Sequence, residues 1–207
     1  MKLRDVTFSL SNAKLGGFIP SIDLPPIVTC RKNAPCRKGC YALKGNFRYP
    51  TKIKSMQDNL AAYKKDPVAF FDTIKDFLNN GDVIYRFFRW FGAGDIVDGD
   101  FLKGVVEVAK QCKDTKFLMF TKKFELVNDY LDYYQEFPSN LHIIFSMWDK
   151  DFYVQNPYNL PCAYVDFKDK TCNPDIPEFA IPCTGDCSNC KSCWSLVNTQ
   201  SVYFKQH

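Results

Sequence analysis

The stretch from residue 82 to residue 167 alternates between two periodicities, and few folds accommodate that. "DVIYRFFRWF" (82–91), "KFLMFT" (116–121), "LHIIFSMW" (141–148) and "CAYVDF" (162–167) are rich in β-branched and aromatic residues and read as strands. Between them, one helix is expected from near Asp100 to about Gln111, and another over 123–137, stopped by Pro138. Strands joined through helices run parallel, because a crossover of that length returns the chain to the same edge. Upstream, "RYPTKIKSMQDNLAAYKKDPVAFFDTIKDFLNNG" reads as a helix in two pieces divided at Asp66–Pro67. Asp66 is the N-cap, Pro67 the first helical residue and Gly81 the closing one. "PIVT" (26–29) is a short apolar run, taken as the first strand, while "EFAIPC" and "SVYFKQH" supply late strand material. Six strands in 207 residues suit an α/β partial (β/α)6 barrel, since eight strands typically need about 250 residues. The expected organisation is a single domain over 1–207. Residues 25–182 form the barrel core, and 183–207 a cysteine-rich metal segment with a closing strand.

In parallel α/β folds, active sites lie beyond the carboxyl ends of the strands. The polar motifs fall there: three cysteines after the first run, "GAGD" after the second, "TKK" (121–123) after the third, "SMWDKD" (146–151) after the fourth and "DFKD" after the fifth. Lys122 is a candidate base or phosphate contact, or a surface lysine with a buried stem. Asp166 and Lys168 are weaker pocket candidates, and His142, inside an apolar run, reads as a satisfied core residue.

The cysteines form two groups. "CRKNAPCRKGCYA" carries Cys30, Cys36 and Cys40, and "CTGDCSNCKSCW" carries Cys183, Cys187, Cys190 and Cys193. Cys112, Cys162 and Cys172 stand alone and read as small buried hydrophobes. Ten cysteines in a chain that is 46% hydrophobic are too few for a disulfide scaffold. The start has no signal-peptide run, and no apolar stretch is long enough for a membrane span. A cytoplasmic location follows as the expectation, with thiols kept reduced and clustered cysteines read as metal ligands. A zinc site usually joins two knuckles across a longer loop, which the quartet lacks. Iron–sulfur runs place thiolates at such short spacings. Iron–sulfur is therefore the first expectation and zinc the alternative. Three cysteines in the first group would leave one metal position open, as chemistry requires.

Residues 28–65 hold ten basic residues (Arg31, Lys32, Arg37, Lys38, Lys44, Arg48, Lys52, Lys54, Lys64 and Lys65) against one acidic, Asp58, in a chain of net charge +4. With Tyr41, Phe47 and Tyr49 interleaved, this block (31–65) suits nucleic-acid contact. A solvated helix face, or charge offsetting an anionic cluster, would give the same composition. No membrane partner is expected, and the sequence is silent on oligomeric state.

"CRKGCYA", "FRWFGAGDI", "FLMFTKK", "CSNCKSCW" and the closing aromatic run before His207 resemble the phage gene-product-88 family over about residues 25–207. The three-cysteine loop, the Gly-rich acidic turn and the six-stranded plan also bear a distant likeness to the radical S-adenosylmethionine (radical SAM) superfamily. Five and three residues separate the first cysteines here, against three and two in that superfamily. Gly39 stands where an aromatic usually precedes the third cysteine, and Gly-Ala-Gly-Asp replaces Gly-Gly-Glu.

The distant likeness implies a [4Fe–4S] cluster on Cys30, Cys36 and Cys40, with an auxiliary cluster on Cys183, Cys187, Cys190 and Cys193. It implies S-adenosylmethionine held by Gly92, Gly94 and Asp95, with Ser146 counted among the cofactor-binding candidates. Asp95 and Lys122 are the catalytic candidates. A phage protein of this kind would act in the host cytoplasm, on a nucleotide or nucleic acid. The competing readings are a metal-stapled nucleic-acid-binding protein without catalysis, and a transglycosylase-like barrel acting on bases. No Walker loop, Ser-His-Asp arrangement or dinucleotide fingerprint is present.

Overall fold

A computed structural model describes residues 1–10, 12, 14–81 and 83–206. Asp82, the expected first residue of one strand, and His207 lie outside the described residues. The chain opens with a short antiparallel pair, β1 (Lys2–Leu3) and β2 (Val6–Thr7). Seven further strands form one parallel sheet: β3 (Ser21–Ile22), β4 (Phe87–Trp90), β5 (Lys116–Thr121), β6 (Leu141–Ser146), β7 (Cys162–Asp166), β8 (Ile181–Pro182) and β9 (Ser201–Lys205). Their order is β3-β4-β5-β6-β7-β9-β8, so the last strand inserts between its two predecessors. The expected six-stranded partial barrel gives way to an open seven-stranded sheet with β3 and β8 at its edges.

The helices follow the sequence closely. They are α1 (Pro50–Lys65), α2 (Pro67–Asn79), α3 (Gly99–Gln111) and α4 (Phe124–Tyr134). Asp66 caps α2 by accepting the Ala69 amide, as Pro67 at the first helical position requires. Asp98 caps α3 by accepting the Phe101 amide, and also receives the Tyr63 hydroxyl at 2.7 Å. Helix α4 stops three residues short of Phe137, because Gln135 takes a left-handed conformation at its end.

The first strand is displaced from its expected place. Residues 26–29 form a turn rather than a strand, and the pairing residues are Ser21 and Ile22. Pro25 and Pro26 explain this, since neither can donate to a ladder. The Pro25 carbonyl instead receives the Thr29 amide and hydroxyl, at 3.2 and 2.9 Å.

The two faces of the sheet are covered differently. Phe88, Trp90, Phe117, Met119, Ile143 and Phe145 face the helices in the main core, which also buries Val6, Phe8, Ile22 and Leu24. The other face, with Leu118, Ile144, Ala163 and Val202, carries no α-helix among the described residues, only the short 3-10 turn Ser192–Trp194. Leu15, Ile19, Trp194 and Leu196 cover it, with Cys183, Cys187 and Cys193 packed alongside. The Trp194 indole N–H donates to the Phe88 carbonyl at 3.2 Å and pins the segment to the sheet. The quartet thus lies across a sheet face rather than at the carboxyl edge expected for it. Its neighbours Trp194 and Leu196 are apolar, and burying them on that face moves the cysteines with them.

Candidate functional site

The carboxyl ends of β4, β5 and β6 stand side by side, in the register Trp90 to Met119 to Ile143. Beyond β4, the chain runs through Gly92–Ala93–Gly94–Asp95. Asp95 is 5% exposed. One carboxylate oxygen accepts the Ile96 amide (2.8 Å) and the Thr121 hydroxyl (2.6 Å), and the other accepts the Lys122 amide (3.0 Å). Burial pushes its pKa up, against the downward pull of these bonds. The Asp95 amide donates to Thr29 Oγ1 at 3.1 Å, which ties this turn to the loop that opens the first cysteine group. Lys122 turns its ammonium onto Ser146 Oγ at 2.6 Å and lies 5.3 Å from the Trp148 ring.

Glycine at 92 and 94 is required by packing. A Cβ at Gly92 would stand 2.7 Å from an Asp23 oxygen. Gly94 has a positive φ of 87°, and a Cβ there would stand 2.6 Å from the Leu24 carbonyl and 2.9 Å from Thr29 Oγ1. Asp23, absent from the sequence-derived candidates, is 4% exposed and accepts the Ala93 amide at 2.9 Å. Its other oxygen receives the Lys52 ammonium and the Ser9 hydroxyl. Asn59, also buried, donates to the Asp23 and Thr7 carbonyls, each at 3.0 Å. The signal in the sequence was a lone acid between Ile22 and the apolar run Leu24–Val28.

The first cysteine group follows on consecutive 3-10 turns. Cys36 lies inside Pro35–Gly39, and Cys40 joins that turn to Tyr41–Leu43. The Tyr41 hydroxyl donates to the Gly92 carbonyl and so links the loop to the glycine turn. Although the residue is 55% exposed, its buried hydroxyl has a raised pKa. Cys30 and Cys36 share one electrostatic neighbourhood with Cys40 and Asp95, and Cys36 also feels the Lys122 charge. Burial pushes Cys30 up to about 11, with Asp95 and the two other thiols adding to it. The structure therefore brings Cys30, Cys36, Cys40, Asp95, Lys122 and Ser146 to one end of the sheet.

The quartet is separate in position. The Cys183 amide bonds to the Tyr203 carbonyl beside β9, and the Cys187 amide to the Lys14 carbonyl at 2.7 Å. Burial pushes Cys193 up to about 12, and Cys183 and Cys187 add to it. Cys190 is shifted the other way by hydrogen bonds from Ser192. Lys14 and Arg89 supply the nearby positive charge at Cys187 and Cys193. Arg89 also acts on Tyr41, so its charge is felt at both cysteine groups.

All ten cysteines are free thiols. Among the described residues, no three His, Cys, Asp or Glu side chains are set to hold a single metal ion. A mononuclear zinc site would draw its sulfurs to about 2.3 Å from one point. A polynuclear cluster takes its thiolates around a body rather than a point. The donor set of both groups, thiols alone and mutually interacting, has the chemistry that such a cluster takes.

The remaining candidates part company with expectation. Cys112 is buried and Cys162 half-buried, but Cys172 is exposed. His142 is not fully satisfied: Nδ1 lies 3.4 Å from the Leu196 carbonyl, and Nε2 is buried without a partner. Asp166 is held by Lys170 and by Asn173 at 2.8 Å, and Lys168 is exposed. The basic block is partly neutralised inside the fold. Arg31 pairs with Glu125, Lys52 with Asp23, Lys54 with Asp58 and Lys65 with Asp5. Among the described residues, no helix is long and apolar enough to cross a membrane.

No curated protein and no solved structure matches the chain. A family model described as "Gene product 88" matches residues 3–196, from β1 through the cysteine quartet to Leu196. With nearly the whole chain matched, including every residue of both cysteine groups, this protein belongs to the phage gene product 88 family.

Proposed function

We propose that this protein is an iron–sulfur enzyme of the radical SAM type, acting on a nucleotide-class substrate, with its reactive end at the carboxyl ends of β4–β6. The observation that carries this reading is that Thr29, beside Cys30, accepts the Asp95 amide, Tyr41, beside Cys40, bonds to the Gly92 carbonyl, and Asp95 accepts the Lys122 amide. An open three-thiol group stands there beside a buried acid and a lysine. Cys30, Cys36 and Cys40 would hold one cluster, and Cys183, Cys187, Cys190 and Cys193 a second. When bound, such clusters supply one-electron chemistry.

The chain's own residues set the stage for that chemistry. Asp95 locks the ends of β4 and β5 together through Thr121 and Lys122. Tyr41 holds the cysteine loop against Gly92. Lys122 and Ser146 present a donor pair at the mouth. S-adenosylmethionine is the ligand proposed for the turn at Gly92, Gly94 and Asp95.

The test is anaerobic purification followed by iron and acid-labile sulfide analysis, then reduction in the presence of S-adenosylmethionine. Both elements and formation of 5′-deoxyadenosine are expected. Stoichiometric zinc without sulfide, or no 5′-deoxyadenosine from iron-loaded reduced protein, overturns the reading.

A further inference from the structure

Away from the α-helices, the second face of the sheet carries cations set over aromatic rings. The Arg89 guanidinium lies 5.3 Å from the Phe120 ring centre, and the Lys14 ammonium 4.6 Å from that of Phe204. Phe120 and Phe204 meet edge to face at 5.8 Å, so the two pairs form one continuous patch. Lys122 over Trp148 extends it toward the strand ends. Arg89 pairs with Leu118, so it lies diagonally beside Phe120 on the face turned from the helices. Phe204 is on β9, beyond β6 and β7, and joins the group through its ring contact with Phe120.

None of Lys14, Arg89 and Lys122 takes part in an ion pair among the described residues. All three are half-buried, and the Arg89 Nε–H is buried without an acceptor. Asp95 feels the Lys122 charge, but its oxygens are already bonded to Ile96, Thr121 and the Lys122 backbone. Half-buried cations are normally paired. A cation resting on a ring is held in place but keeps its N–H donors for another partner. Phosphoryl oxygens are the acceptors that guanidinium and ammonium groups match best.

We infer that this patch binds the linked phosphates of a small ligand of the nucleoside polyphosphate class, with Arg89 and Lys14 as the main contacts and Lys122 as a third. The two rings stand 5.8 Å apart, and that short spacing favours a compact polyphosphate over a long strand. The inference deepens the proposed function by naming the substrate class, yet it needs no metal on the thiols.

The experiment titrates the full chain with a nucleoside triphosphate, inorganic pyrophosphate, inorganic phosphate and a twelve-residue oligothymidylate. Binding is followed by calorimetry at low salt, with iron and zinc measured on the same samples. The triphosphate and pyrophosphate should bind at least tenfold more tightly than phosphate. Lys14→Met and Arg89→Met should each weaken them at least tenfold, with Arg89→Lys retaining part of the affinity. Lys64→Met, on the far exposed end of α1, should change nothing.

Four outcomes overturn the proposal: no binding by either polyphosphate, equal loss in Lys64→Met, tighter binding of the oligonucleotide through Arg89 and Lys14, or loss of metal in the Arg89 and Lys14 variants with phosphate affinity unchanged. The last would make these cations counter-charges of the quartet. Metal content reports separately on the proposed function, so the two readings fail distinguishably.

Discussion

Lys52 and Asp23 form an ion pair between helix α1 and the loop after β3, and the same carboxylate holds the Ala93 amide in the glycine turn. One buried acid thereby joins the first helix, the edge strand and the candidate site. Removing one partner of a buried pair leaves an uncompensated charge, at a cost of about 3–5 kcal/mol. Lys52→Met should lower the unfolding free energy by about that amount in urea titrations. Lys54→Met, which breaks only an exposed pair, should stay within about 0.5 kcal/mol. Equal effects would mean that the Asp23 pair is not structurally important.

The two glycines at 94 and 99 should respond oppositely to alanine. Gly94 has its left-handed φ, and a methyl group added there would meet the Leu24 carbonyl at 2.6 Å. Gly94→Ala should cost about 2 kcal/mol or more in thermal unfolding. Gly99 begins α3 with open space around it, and Gly99→Ala should gain about 0.5 kcal/mol or more.

His142 makes stability depend on acid. Burial holds its pKa below the usual histidine value, so the folded state resists protonation that the unfolded chain accepts. Stability should fall as pH drops from about 6.5 toward the lower folded value, and be flat above about 6.5. His142→Leu should remove that part of the slope without loss of stability at about pH 8, because it also deletes the unpartnered Nε2. A slope unchanged in the variant assigns the effect elsewhere.

The two cysteine groups should load independently. Cys40→Ser should lower the iron content by about one cluster and leave the quartet's share, and Cys187→Ser should do the reverse. Because ligation free energy is also folding free energy, each variant should melt at lower temperature than the loaded parent. Loss of all iron from either single variant would point to one shared site.

Much of this arrangement was legible in the residues. The strand over 116–121 and the helix break at Asp66–Pro67 follow from local chemistry and fall where expected. What local reading missed is long-range. Ser21–Ile22 carries almost no strand signal by itself and pairs only because Arg89 and Trp90 stand beside it. The second face of the sheet was equally hidden, since nothing near "CSNCKSCW" says that Trp194 will reach the Phe88 carbonyl 106 positions away. The link from Thr29 to Asp95 spans 66 positions. Its partners could be guessed from the strand-end rule, but its bonds could not.

Strand β9 lies between β7 and β8, although it is the last of the three to be made. The quartet sits on the connection that brings it there. A ribosome must therefore release β9 before the sheet can be completed, and until then the edge of β7 and the apolar face under Trp194 stay open to solvent. During that interval the four thiols lack the sheet face on which the segment later packs. Once β9 is in place, Cys183, Cys187 and Cys193 pack against the cluster that contains Leu118 and Ile144. Burial of these thiols is thus timed by the emergence of β9, whereas the first cysteine loop, built on residues made early, has no such deadline.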